Sequence, residues 1–279
     1  MTLASRPNPN PPAEAHGTHL LVIDAQNDFC DIAGAALPVP GADADLRRLA
    51  ALIRANLAAI DAITLTLDSH YRIDIAHPGF WRSPAGAVTP FTAITARQVR
   101  EGAYGPRRAG DLPRVLAYLD ALEAGGRYTH TVWPVHCEIG TWGHNLHAEL
   151  AAACAEWEDF HGRQALRVFK GMNPWTEHYS AVRAEVPIDD DPHTQTHAAL
   201  LARLGASGRL LVAGEAGSHC VKATVEDVAE AVDARRIVLL ADAMSPVAGF
   251  ERQQRDFLQA LQARGAALRT TAEAFAPSA

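Results

Sequence analysis

Cysteine does chemistry only where its surroundings let the sulfur act, and one of the four cysteines in this chain stands in such a place. They occur at positions 30, 137, 154 and 220. The stretch before Cys220 reads RLLVAGEAGSHC, an apolar run followed by a glycine-bearing turn. After it, Val221, Val225, Val228 and Val232 form a stripe at helical spacing. Cys220 is therefore expected at or near a helix N-terminus. Unpaired N–H groups and the helix dipole favour a thiolate there. The same N–H groups can hold an oxyanion. Against this stands the common role of a single cysteine as a small buried hydrophobe. Cys154, in an alanine-rich helical stretch, reads that way. Cys30 follows a loop phenylalanine, and Cys137 is a small neighbour of His136.

Other reactive side chains also follow apolar runs. LVIDAQNDFC places Asp24 after the first, as a general base or as the cap of a turn. LTLDSH ends the second in Asp68 and His70, and an Asp-x-His pair in extended chain points both groups the same way. Such a pair is half of a metal site, although a lone one is a weak signal. VWPVHC supplies Trp133 and His136; the histidine would be a third ligand or a buried hydrogen-bonded residue, the tryptophan a pocket wall or core. RVFKG places Lys170 where a carboxylate partner would hold it, or where it snorkels to solvent.

The elements that must position these groups alternate. Strands are expected over His19–Asp24, Ala62–Leu67, Tyr128–Trp133, Ala165–Phe169, Arg209–Ala213, Ile237–Leu240 and, weakly, Ala267–Thr270. Helices are expected over Asp43–Ala58, Pro113–Glu123, Asn145–Glu156, Thr194–Leu204, Cys220–Ala234 and Phe250–Arg264. That pattern implies an α/β fold with a mainly parallel sheet and helices on both faces. Ligands in such folds sit beyond the carboxyl ends of the strands, where the candidate residues fall.

The 279 residues, 48% of them apolar, suffice for one elaborated domain over 18–279. The first 17 residues carry four prolines and read as a flexible tail rather than a signal peptide. A long Pro- and Gly-rich connection at about 71–112 reads as a lid or interface element, or as a surface insertion. A net charge of −7 without a basic stripe argues against nucleic acid. No apolar run approaches the ~20 residues of a membrane span. Sparse cysteines without a CxxC pair suggest a reducing, cytoplasmic setting. The assembly state, a homo-oligomer included, is left open.

Taken in order, LVIDAQNDFC, TLDSH, WPVHCEIGTWG, KGMNPWTEHYSA and VAGEAGSHCVKATVEDV resemble the motifs of the isochorismatase-like cysteine hydrolases, closest to nicotinamidases, from about residue 19 to 245. The resemblance implies a Rossmann-like three-layer α/β/α fold and an Asp24, Lys170, Cys220 triad. It implies an oxyanion hole from the N–H groups of Ala216 and Cys220, with a cis bond between Glu215 and Ala216. Phe29 and Trp133 match positions that sandwich an aromatic substrate. A divalent metal, zinc first and manganese or iron as substitutes, would be held by Asp68, His70 and His136. The implied activity is hydrolysis of a small carboxamide, nicotinamide foremost, through a thioester. The alternatives are a metal-free amidohydrolase for N-carbamoyl or ureido compounds, isochorismatase itself being disfavoured by the cysteine, and a non-catalytic binding scaffold. Three features depart from the family pattern. His77 stands seven residues after His70 where some relatives place a further ligand six residues on, the 71–112 segment is long, and Glu215 is unusually polar for its position.

Overall fold

Successive strand residues point to opposite faces of a sheet, and the first strand is apolar at both parities. Leu20 and Val22 face one way, Leu21 and Ile23 the other, and all four are fully buried. Such a strand needs cover on both sides. The computed structural model, which describes residues 16–276, supplies it. Its strands are β1 (His16–Ile23), β2 (Ala62–Asp68), β3 (Trp81–Arg82), β4 (Thr92–Ala93), β5 (Gly105–Pro106), β6 (Thr131–Val132), β7 (Leu166–Lys170), β8 (Ser207–Gly214), β9 (Ile237–Leu240) and β10 (Ala267–Arg269). Six of them form one sheet in the order β10-β9-β8-β1-β2-β7, with every pairing parallel.

The helices are α1 (Ala42–Ala55), α2 (Ala96–Arg100), α3 (Leu112–Gly125), α4 (Ala148–His161), α5 (Ala198–Gly205), α6 (Lys222–Ala231) and α7 (Glu251–Ala263). Leu46, Leu49 and Ile53 of α1 and Leu150, Cys154 and Trp157 of α4 pack with Leu20, Val22 and Leu211 on one face. Val225 and Val228 of α6, Leu200 and Leu204 of α5 and Phe257 and Leu261 of α7 pack with Leu21, Ile23 and Val212 on the other. The expected three-layer α/β/α arrangement follows. Sequence order reverses between β8 and β1, the switch point where such sheets open a crevice at their carboxyl edge.

Three expectations need correction. The strand expected over Tyr128–Trp133 shrinks to β6, which pairs antiparallel with β4 of the long connection rather than joining the main sheet. The place beside β2 is taken by β7. His16 and Gly17 lie in β1 rather than in a tail, and residues 1–15 fall outside the described residues. The segment 71–112 is not a bare loop. Ile75, Phe80, Trp81, Ile94 and Val99 build a core of their own with Val115, Leu119 and Leu122 of α3. A capping box, Thr95 with Gln98, starts α2 inside it. No helix among the described residues is long and apolar enough to cross a membrane.

Candidate active site

Four neighbouring strands deliver the chemistry. Asp24 follows β1, Asp68 and Lys170 end β2 and β7, and Cys220 follows β8 by way of the turn. Two glycines permit the close approach. A Cβ on Gly214 (φ +125°) would lie 2.0 Å from the Ile23 carbonyl oxygen, and one on Gly171 (φ +79°) would lie 2.9 Å from Asp68 Oδ1. Four non-glycine residues have positive φ among the described residues: Asp24, Phe91, Cys137 and Ala216. Three of these lie at or beside candidate site residues, where strained backbone tends to collect.

Lys170 is the hub. Its side chain is 1% exposed. Nζ lies 2.8 Å from Asp24 Oδ2 and 2.8 Å from Asp68 Oδ1. It donates to the His178 carbonyl at 3.0 Å and to Cys220 Sγ at 3.5 Å. Burial alone would lower the lysine pKa, but the carboxylates of Asp24 and Asp68 outweigh it and hold the ammonium charged. Asp24 is fully buried, and Thr66 Oγ donates to its Oδ1 at 2.5 Å. Burial raises the Asp24 pKa against the pull of Lys170, which makes it a stronger base than an exposed aspartate.

Cys220 lies in a single π-helical turn, Gly217–Val221, and α6 begins only at Lys222. The expectation of a resting thiolate fails. Burial pushes the thiol pKa well up, Lys170 only partly opposes this, and Asp24 and Asp68 add to the rise. In a dry site beside two carboxylates, desolvation defeats the helix terminus. The expected cis bond is also absent: every peptide bond of the described residues, Glu215–Ala216 included, is trans. The turn is made instead by Ala216 in left-handed backbone, φ +55° and ψ +61°. The Glu215 N–H donates to the Ile23 carbonyl and that of Gly217 to Ser245, each at 2.7 Å, which pins both sides of it. Glu215 is fully buried, and Ser245 N–H donates to its Oε2 at 3.4 Å. Burial and Asp45 push its pKa well up. Its side chain is not part of the cavity wall.

Beside this cluster, Asp68, His70 and His136 converge, with one ligand atom from each lying within 4.8 Å of the others. Asp68 Oδ2 is 3.1 Å from His70 Nε2 and 3.4 Å from His136 Nε2. Tetrahedral zinc bonds of this kind place ligand atoms about 3.3 Å apart. The Nδ1 atoms face outer acceptors, Asp74 Oδ2 at 3.1 Å for His70 and the Pro134 carbonyl at 2.8 Å for His136. With a cation bound, an acceptor at Nδ1 would keep the proton there and leave Nε2 free to ligate. Three donors would then face one another, an arrangement that suits a divalent cation. Asp24, Asp68 and Cys220 also cluster closely, but the Lys170 ammonium already fills that space. His77 stands behind the ligand set, with Nε2 3.3 Å from His136 Nδ1 and Nδ1 bonded to the Tyr71 carbonyl.

A small cavity connects these groups. Phe29, Trp133, Tyr179, Glu177, His136, His219 and Cys220 form most of its wall. Phe29 stands edge-on to His136 at 5.4 Å, and Trp133 Nε1 donates to the Tyr179 hydroxyl at 3.0 Å. Sequence reasoning missed Tyr179 and Glu177. Glu177 Oε2 is buried without a hydrogen-bond partner among the described residues, and burial raises its carboxyl pKa to about 7. It missed Gln26 too, whose side chain accepts from Asp68 N–H at 2.7 Å and donates to the Asp68 carbonyl at 2.8 Å. Asp28 likewise joins the Phe29 loop to Cys137 N–H at 2.7 Å. The polar letters of AQND were a signal for these contacts.

No protein-family model matches the chain, and no curated protein matches it. Solved structures do. The nicotinamidase/pyrazinamidase of Acinetobacter baumanii superposes with a TM-score of 0.64 at 20% identity, over 92% of this chain and 98% of its own. The pyrazinamidase of Pyrococcus horikoshii, solved in complex with zinc, gives 0.52 at 20% identity over 91% and 98%. An isochorismatase-like hydrolase from Alkaliphilus metalliredigens gives 0.51 at 16% identity over 92% and 96%. At these identities the likeness speaks for architecture: this chain has the three-layer α/β fold of the isochorismatase-like hydrolases.

Proposed function

We propose that the protein is a cysteine amidohydrolase that converts a small aromatic carboxamide, nicotinamide first among candidates, to its acid and ammonia. One observation carries the reading: a single buried ammonium, Lys170, touches Asp24, Asp68 and Cys220 Sγ at once. A thiol, a base of raised pKa and a fixed cation are the parts of an activated nucleophile. The structures it superposes on include enzymes named for nicotinamide and pyrazinamide.

Asp24 takes the thiol proton as the sulfur attacks the carboxamide carbon, so no free thiolate is needed at rest. Lys170 keeps the Asp24 carboxylate in place and offsets the charge that moves to sulfur. The N–H groups of Ala216 and Cys220 receive the oxyanion, each such donor being worth ~3 kcal/mol in related sites. The tetrahedral adduct collapses, its C–N bond breaks, and Asp24 returns the proton to the departing ammonia. Water then attacks the thioester carbonyl while Asp24 takes its proton. The C–S bond breaks, the sulfur regains the proton and the acid leaves. Phe29, Trp133 and Tyr179 would hold the ring, and Glu177 offers an acceptor to the amide N–H₂.

Asp68, His70 and His136 would hold a divalent ion, zinc by preference for two imidazoles and a carboxylate. When bound it supplies a Lewis acid that fixes a ring nitrogen or a water. The metal-free ureido reading leaves these converging donors without a use. Asp74→Asn removes the carboxylate that holds His70, so zinc affinity should fall ~10–100-fold, read by competition against a chromophoric chelator. Unchanged affinity would remove Asp74 from the account.

The test of the whole reading is ammonia release from nicotinamide and from a ureido compound, after chelation and after zinc or manganese is restored. Hydrolysis of nicotinamide that vanishes on chelation and returns with metal is the expected result. Turnover of the ureido compound alone, indifferent to chelator, would overturn it.

A further inference from the structure

The cavity beside Cys220 encloses only about 20 Å³, room for about one water molecule. An aromatic ring held by Phe29, Trp133 and Tyr179 would therefore have to displace part of the cavity wall. Behind one wall lies a hollow of about 670 Å³, within the range of small-molecule sites. His219 is the residue common to both walls. Its ring forms the partition, stacked on Tyr128 at 5.5 Å and edge-on to Trp133 at 5.2 Å and to Phe250 at 4.6 Å. A short bond ties it, between Nδ1 and Ser218 Oγ at 2.9 Å. Val247 N–H donates to that oxygen at 3.1 Å, which leaves the hydroxyl hydrogen for Nδ1.

The long connection completes the hollow. Phe91 is 58% exposed and has φ +65°, a backbone that bulky residues rarely adopt. Its N–H donates to the Val132 carbonyl at 2.5 Å, and its ring stands edge-on to Trp133 at 5.9 Å. An exposed ring in a strained backbone is doubly unfavourable, and here it supplies an aromatic wall above the partition. The charges nearby are engaged: Arg127 by Glu185, Glu226 and Asp227, and Glu123 by the Ala96 N–H. Of the exposed polar side chains at the hollow, Thr129 and Gln253 are uncharged, and Glu123 is the carboxylate that accepts from the Ala96 N–H.

We propose that His219 is a door between the catalytic cavity and an outer subsite, and that the preferred substrate is a ring carboxamide carrying a second, uncharged planar group, which rests on the aromatic wall of Phe91, Tyr128 and Phe250. This rests on the amidase reading above and narrows its substrate class.

The test compares kcat/KM for nicotinamide, 5-phenylnicotinamide and 6-phenylnicotinamide, using zinc-loaded wild type, Phe91→Ala and Thr129→Trp. One phenyl isomer should exceed nicotinamide with wild type. Its advantage should fall ~tenfold or more when Phe91 is removed or when a tryptophan at position 129 fills the hollow. Thr129 is exposed, so that variant keeps the test valid if Phe91→Ala folds poorly. Nicotinamide turned over with neither isomer better, or an advantage untouched by both variants, would overturn the outer subsite alone. No hydrolysis of any of the three would overturn the amidase reading, and this inference with it.

Discussion

Replacing Cys220 with alanine is expected to lower kcat for amide hydrolysis by ~10⁴-fold or more, the scale on which nucleophile deletions act in related hydrolases. The sulfur is the atom that would become acylated, and no neighbour can take its part. His219 is the adjacent imidazole, but its ring packs among Tyr128, Trp133 and Phe250, and burial lowers its pKa to about 3. Asp24 is bound to Lys170 and Thr66. The fold should survive, because the side chain lost is small and its bond from Lys170, at 3.5 Å, is long. Thermal unfolding and ammonia release measured on the same preparation separate the two effects. Cys154→Ala, in the core of α4, serves as the control that keeps activity. A Cys220→Ala protein that is folded and fully active would remove the thioester route.

Lys170→Met should do more damage, because it attacks activity and stability together. The ammonium is the positive partner of Asp24 and Asp68, both buried. Removing one member of a buried charge cluster leaves the others uncompensated and typically costs ~3–5 kcal/mol. For a chain of this size that corresponds to a fall in Tm of about 10 °C. Activity should drop below detection, since Asp24 would no longer be held as a carboxylate facing the thiol. Adding Asp24→Asn removes one stranded charge. The double variant should regain part of the lost stability and none of the activity, a non-additivity expected for groups in contact. If Lys170→Met unfolds at the wild-type temperature, the cluster is not the electrostatic hub described above.

The proposed triad and ligand set could be read in the chain because each member closes an apolar run. A strand end fixes where a side chain comes out, and a parallel sheet brings strand ends together. Asp24, Asp68, Lys170 and Cys220 needed little more than that rule and a glycine after Lys170. The residues that missed notice act across loops. Tyr179 meets Trp133 from 46 positions away, and Asp28 meets Cys137 from 109. No periodicity announces such contacts. The strand expected at Tyr128–Trp133 failed for a related reason. Alternation marks extended chain but not its partner, and the long connection captured Thr131 and Val132 through β4. The thiolate expectation failed because a helix-terminus argument knows nothing of burial, which in this site is complete around two carboxylates. The cis bond failed because it was carried over from a family whose turn this chain makes differently, with Ala216 in left-handed backbone.

The central claim is that Cys220 itself carries the acyl group. It is tested by quenching the zinc-loaded enzyme in acid at successive times through the first turnover of nicotinamide and weighing the peptide that contains Cys220. The account predicts that this peptide gains one nicotinoyl group, in step with the first equivalent of ammonia, and loses it as nicotinate forms. Ammonia released while that peptide stays unmodified at every time, with Cys220→Ala releasing it equally fast, would contradict the account.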